Sequence, residues 1–99
     1  MFAIKLLPSA KNEIVNAYKW YEEKSIGLGS KFMESLFDEL KFINNPLIEP
    51  RKIYLDFHRN SLRKFPYYIY YRKEVDKQLI IIFAVLHKKQ DSSEFYKRV

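Results

Sequence analysis

The sequence predicts an α+β domain over residues 1–99. The expected parts are an N-terminal strand, an antiparallel two-helix hairpin packed on a small, mostly antiparallel sheet (a three-strand meander), and a short C-terminal helical tail. Three observations predict it. Apolar residues recur at helical spacing from Ala10 to Ile43 and at period 2 after Pro50. The only two glycines, Gly27 and Gly29, fall together between two amphipathic runs. The helix-like and strand-like stretches are segregated along the chain and do not alternate, which selects α+β over α/β.

Each element follows from its residues. Phe2 to Leu7 reads as a strand that Pro8 stops by removing a ladder donor. Ser9 can cap the first helix, whose stripe is Ala10, Ile14, Ala17, Tyr18 and Tyr21, with Trp20 at its flank and an end near Lys24. Ser30 can cap the second, with Phe32, Met33, Leu36, Phe37, Leu40 and Ile43 on its apolar side and Asn44-Asn45-Pro46 as its stop. The first meander strand runs over Ile53 to His58, and a turn is expected near Arg59-Asn60-Ser61. A long strand from Leu62 to Lys73 follows, interrupted at Pro66 by a bulge or an unpaired edge. In it Arg63, Phe65, Tyr67, Ile69 and Tyr71 share one face, and Lys64, Tyr68, Tyr70 and Arg72 the other. Leu79 to Leu86 is apolar at every position and reads as an inner strand covered on both sides. From Asp91 to Val99 one or two helical turns are expected, capped by Asp91 or Ser92 and anchored by Phe95.

Composition narrows the function classes. Ninety-nine residues fit one domain, since domains run to roughly 100–200 residues. With 47% apolar residues the chain can build a core without a staple. It has no cysteine, so a disulfide framework, a thiolate nucleophile and a zinc ribbon are excluded. No apolar run is long enough for a signal peptide or a membrane span, which predicts a cytoplasmic protein without a membrane partner. Of the net charge of +6, residues 1–49 contribute −1 and residues 50–99 contribute +7. That asymmetry points to a polyanion or an acidic protein partner, or simply to a lysine-rich soluble surface.

The sequence contains no phosphate loop, dinucleotide fingerprint or zinc-binding helix, and two histidines far apart make a poor metal site, so no metal or cofactor is expected. Basic residues of the second half, Arg51, Lys52, Arg59, Arg63, Lys64, Arg72, Lys73, Lys88, Lys89, Lys97 and Arg98, interleave with six tyrosines. Cations beside aromatic rings suit RNA, while strand tyrosines are equally ordinary core residues. A metal-free RNA cleavage needs a base, a cation at the phosphate and an acid. His87 can serve as acid or base, Arg63 as a phosphate clamp and Tyr96 as a stacking or donor group. His87 can equally be a strand-end residue bonded to a backbone carbonyl, and Arg63 a salt-bridge residue.

Several stretches together resemble the RelE/ParE superfamily of bacterial type II toxins. They are Glu13-Ile14 and Ala17 with Trp20-Tyr21-Glu22, then Gly27-Leu28-Gly29 with Phe32 and Leu36. Arg63-Lys64-Phe65-Pro66-Tyr67 with Ile69-Tyr70-Tyr71, and Ile82 to His87, complete the set over about residues 3–98. The resemblance implies a helical hairpin on a small antiparallel sheet, and a toxin that forms a hetero-oligomer with a cognate antitoxin encoded beside it. Residues implied for RNA or antitoxin contact are Arg51, Lys52, Lys64, Arg72, Lys88, Lys89 and Arg98. RelE-like members cleave mRNA in the ribosome, which would use Arg63, His87 and Tyr96. ParE-like members poison DNA gyrase by protein contact. Trp20-Tyr21-Glu22, Gly27-Leu28-Gly29 and Phe65-Pro66-Tyr67 look like the ParE side. After His87 the family's Arg and Pro are replaced, because the segment reads Lys88-Lys89-Gln90-Asp91-Ser92. The expected activity is therefore gyrase poisoning. A ribosome-dependent endoribonuclease is the alternative, and a non-toxic, antitoxin-binding relative the second alternative.

Overall fold

The computed structural model describes residues 2–90 and 93–98. Two helices, α1 (Pro8–Lys24) and α2 (Leu28–Asn44), pack on one face of a five-stranded sheet. The strands are β1 (Ala3–Leu6), β2 (Lys52–Tyr54), β3 (Phe57–Ser61), β4 (Tyr67–Glu74) and β5 (Leu79–His87). Their spatial order is β1-β5-β4-β3-β2. β1 runs parallel to β5 and every other pair is antiparallel, so the sheet is mixed and not a three-strand meander. In place of the helical tail expected over 91–99, the described part of the C-terminus holds one four-residue turn, α3 (Ser93–Tyr96). Asp91 and Ser92, the expected caps, lie outside the described residues.

The helix starts differ from the sequence reading. Pro8 is the first residue of α1 rather than only the end of a strand, because its fixed φ suits a first turn whose N–H needs no partner. Ser9 does not cap it, and its hydroxyl lies 3.4 Å from the Phe83 carbonyl. α2 begins two residues before Ser30, behind Gly27 at φ 88°. Its first amides are held by α1: the Glu22 carboxylate accepts from Gly27 N (3.0 Å) and Gly29 N (2.9 Å). A carboxylate at a helix N-terminus satisfies orphan donors and complements the helix dipole. At the other end of α2, the Lys73 ammonium donates to the carbonyls of Ile43, Asn45 and Ile48, which stand where a C-cap is needed.

Two strand readings change. The stretch over 53–58 is two strands, because Leu55 takes φ 52° and the chain reverses between Tyr54 and Phe57. Arg59, Asn60 and Ser61 are therefore strand residues of β3 and not a turn. β4 starts only at Tyr67, since Lys64 is left-handed at φ 69° and Pro66 has no N–H to give the ladder. Arg63 consequently lies on a loop, with its carbonyl accepting from the Ser35 hydroxyl of α2 (2.5 Å).

The sheet separates two clusters. On the helix side Ala10, Ile14, Ala17 and Tyr21 meet Phe32, Leu36, Ile43, Ile69, Tyr71, Ile80 and Ile82. On the other side Phe57, Tyr70, Ala84 and Leu86 close around Phe95 of α3. β5 serves both through a bulge. Tyr70 pairs with Ala84 and Tyr71 with Ile82, so the register skips Phe83. The skipped residue reverses the alternation, which puts Val85 with the helix-side cluster and Ala84 with the outer one.

Tyr71 is fully buried, and its hydroxyl donates to Asn60 Oδ1 (2.8 Å), whose amide donates in turn to Glu39 of α2 (2.8 Å). Burial, with the Glu39 charge second, pushes the Tyr71 phenol well above its ordinary value, and burial raises Tyr21 and Tyr67 as well. A raised folded-state value means that the native chain holds these protons more tightly than the unfolded chain. Their contribution is therefore complete below the unfolded value near pH 10 and is lost as the pH rises past it. Urea unfolding should give a steady stability up to about pH 9 and a fall above pH 10 of up to ~1.4 kcal/mol per unit for each such tyrosine. Tyr71→Phe should make that fall shallower, and an equal slope in the variant would contradict the assignment.

Candidate functional site

The outer sheet face carries a cationic, aromatic surface. Arg59 on β3 lies with its guanidinium 4.2 Å from the Tyr68 ring centre, and Lys88 places its ammonium 5.0 Å from the same ring. β3, β4 and β5 bring these residues together because Ser61, Tyr68 and Leu86 share one row of the ladder. Beside them Phe95 stacks on Tyr70 (4.4 Å, 21°) and meets Phe57 edge-on (5.1 Å). Arg72 lies further along β4, over Phe57 (5.8 Å) and 3.1 Å from Glu74, while its buried Nε has no partner among the described residues. Rings on this face hold the cations in place, an arrangement suited to an acidic or polyanionic surface.

The three candidate catalytic residues occupy different neighbourhoods. His87 lines a cleft of about 410 Å³ with Glu13, Asn16 and Trp20 of α1 and with Tyr67 and Gln90. Its ring is edge-on to Tyr67 (5.1 Å), and its Nδ1 accepts the Lys89 N–H (3.0 Å), so a neutral ring carries its proton on Nε2. The histidine is thus bonded to a backbone N–H and not to a carbonyl. Arg63 lines a second, larger groove, opposite Glu34, Ser35 and Asp38 of α2, and forms no ion pair among the described residues. Tyr96 stands over the outer face against Tyr54 (5.0 Å) and Phe95 (5.5 Å). No hydrogen bond, ring contact or common cleft joins the three among the described residues.

The expected contact residues are also spread. Arg72 and Lys88 belong to the outer face. Arg51 is exposed, with its carbonyl at 3.1 Å from His58 Nδ1, and Lys52 pairs with Asp56 across the β2–β3 turn. Lys64 shares the Arg63 groove. Lys89 is exposed beside His87, and Arg98 pairs with Glu13 at 2.6 Å. Glu13 is a residue that sequence reasoning did not assign. One carboxylate oxygen takes Arg98 and the other accepts the Val85 N–H on β5 (3.0 Å), tying α1, the strand and the C-terminus together. In the sequence it stands out only as part of the Glu13-Ile14 pair beside the apolar stripe, which gives it no role.

Among the described residues no group of three His, Cys, Asp or Glu side chains is arranged to hold a metal, and no helix is long and apolar enough to cross a membrane. The family described as "ParE toxin of type II toxin-antitoxin system, parDE" matches residues 4–92. No curated protein matches the sequence. Among solved structures the fold is similar to a chain of the chromosomal ParDE TA system from P. aeruginosa, with a TM-score of 0.73 at 14% identity over 88% of this chain and 96% of that one. It is also similar to the isolated E. coli RelE toxin, at 0.66 and 21% over 99% and 98%. A chain of the intact E. coli RelBE toxin–antitoxin complex gives 0.66 and 21% over 92% and 100%.

Proposed function

The chain belongs to the ParE toxin family of type II toxin–antitoxin systems, and on that premise we propose that it arrests growth by binding DNA gyrase in the cytoplasm. In this reading its side chains carry out no chemistry, and a cognate antitoxin encoded beside it covers it in a hetero-oligomer. The observation that carries the reading is the separation of Arg63, His87 and Tyr96. A cleavage centre needs its base, cation and acid to converge on one phosphate, whereas here they have different neighbours and different clefts. A surface that acts by contact has no such requirement.

Ribosome-dependent mRNA cleavage is the second reading, and the cluster of Arg59, Tyr68 and Lys88 favours it as a place for RNA. The two separate by mutation. Induced without antitoxin, His87→Ala and Tyr96→Phe should arrest growth as the parent chain does. A loss of roughly 10²-fold or more in each of Arg63→Ala, His87→Ala and Tyr96→Phe would instead favour the nuclease.

A further inference from the structure

The cleft beside His87 has a composition that contact with gyrase does not explain. Its floor is Ala17 of α1 and Val85 of β5, small apolar side chains that are both buried. Rings stand around that floor. Trp20 of α1 is 53% exposed, and Tyr67 and His87 meet edge-on (5.1 Å, 74°). A volume of about 410 Å³ lies within the range of small-ligand sites.

The hydrogen-bonding groups around the cleft are unbalanced, because its acceptors are engaged within the fold. Glu13 Oε1 accepts the Val85 N–H (3.0 Å), and Oε2 accepts the Arg98 guanidinium (2.6 Å). Gln90 Oε1 accepts the His87 N–H (2.8 Å), and His87 Nδ1 accepts the Lys89 N–H (3.0 Å). What remains is donors. The Gln90 amide nitrogen, the Nε2–H of a neutral His87 and the Trp20 indole N–H have no hydrogen-bond partner among the described residues. Only Asn16 adds an uncommitted acceptor, on the exposed rim. Charge leans the same way, since Arg98 neutralises Glu13 while Lys89 is exposed beside His87. A flat ring bearing a carboxylate answers both the rings and the donors. A nucleobase fits less well, because amino or imino donors stand beside its acceptors.

We propose that this cleft binds a small aromatic carboxylic acid. The ring lies over Ala17 and Val85, and the carboxylate accepts from His87 Nε2 and the Gln90 amide. The site stands whether the toxin acts on gyrase or on RNA. Trp20 is the only tryptophan in the chain, so its fluorescence reads the cleft directly. Phenylacetate, added to the purified full chain, should change that fluorescence saturably. Its Kd should be on the order of 1 mM, the strength expected of about ten non-hydrogen atoms. Benzyl alcohol keeps the ring without the charge and acetate the charge without the ring, and each should bind about tenfold more weakly or worse. His87→Phe keeps a ring and Gln90→Leu a side chain of similar size, while each removes one donor. Either should weaken phenylacetate about tenfold or more. No saturable change up to about 20 mM phenylacetate, at ionic strength matched with sodium chloride, overturns the site. Benzyl alcohol binding as tightly as phenylacetate, or parental phenylacetate affinity in both variants, overturns recognition of the carboxylate and the proposal with it.

Discussion

Phe32→Ala should cost the fold about 4 kcal/mol, the middle of the range for emptying a buried phenylalanine site. Phe32 is fully buried on α2, stacked on Tyr21 (5.6 Å) and edge-on to Phe65 (5.5 Å) and Tyr67 (5.2 Å). Those rings come from α1, the loop before β4 and β4 itself, so the cavity would open where helices and sheet meet. A domain of this size has about 5–15 kcal/mol of total stability, and the variant would lose a large share of it. Phe32→Leu keeps most of the volume and should cost about 1–2 kcal/mol. Urea unfolding measures both. An alanine variant within 1 kcal/mol of the parent would mean that the ring cluster does not hold the two layers together.

The second large effect lies at the hairpin turn. A Cβ at Gly29 would stand 2.8 Å from the Tyr18 carbonyl oxygen and 2.9 Å from Glu22 Oε1. The first of these is main chain inside α1 and has no free rotation to make room. Gly29→Ala should therefore splay the helices or expel the Glu22 carboxylate, at about 2–3 kcal/mol. Glu22→Ala removes the two hydrogen bonds to Gly27 and Gly29 and should cost about 2 kcal/mol. Both changes break the same contact, so the double variant should cost less than the two losses added. Full additivity would show that the glycine and the carboxylate act independently.

The same turn shows how far the sequence could be read. Two glycines between amphipathic runs locate the hairpin, the 3.6 period gives the faces of both helices, and the expected caps lie two and three residues from the observed ones. The caps were less legible. Serine is a good N-cap by local preference, but Glu22 reaches the α2 amides from the previous helix, and no window around Ser30 contains that information. Strand boundaries failed where a residue broke its own preference. Leu55 and Lys64 take positive φ without being Gly, Asn or Asp, so the β2–β3 reversal and the late start of β4 carry no turn signature. The bulge at Phe83 was hidden for a different reason. Every position from Leu79 to Leu86 is apolar, so there is no alternation whose reversal could be seen.

The surface was legible in kind more than in place. The charge asymmetry and the interleaved tyrosines identify a basic aromatic face, and the structure brings Arg59, Tyr68 and Lys88 onto one ring. Period 2 groups Arg63 with Phe65 and Tyr67. It leaves that set because Lys64 and Pro66 turn its segment into a loop along α2. Glu13 becomes important only once the sheet order brings Val85 and Arg98 to it from 72 and 85 residues away.

In the proposed reading this chain is a toxin that acts by contact and not by cutting RNA. Mapping RNA 5′ ends after inducing this chain in growing bacteria without antitoxin tests it most directly. Unchanged transcript ends, together with arrested growth and DNA damage, are the predicted result. New ends within translated codons would contradict it.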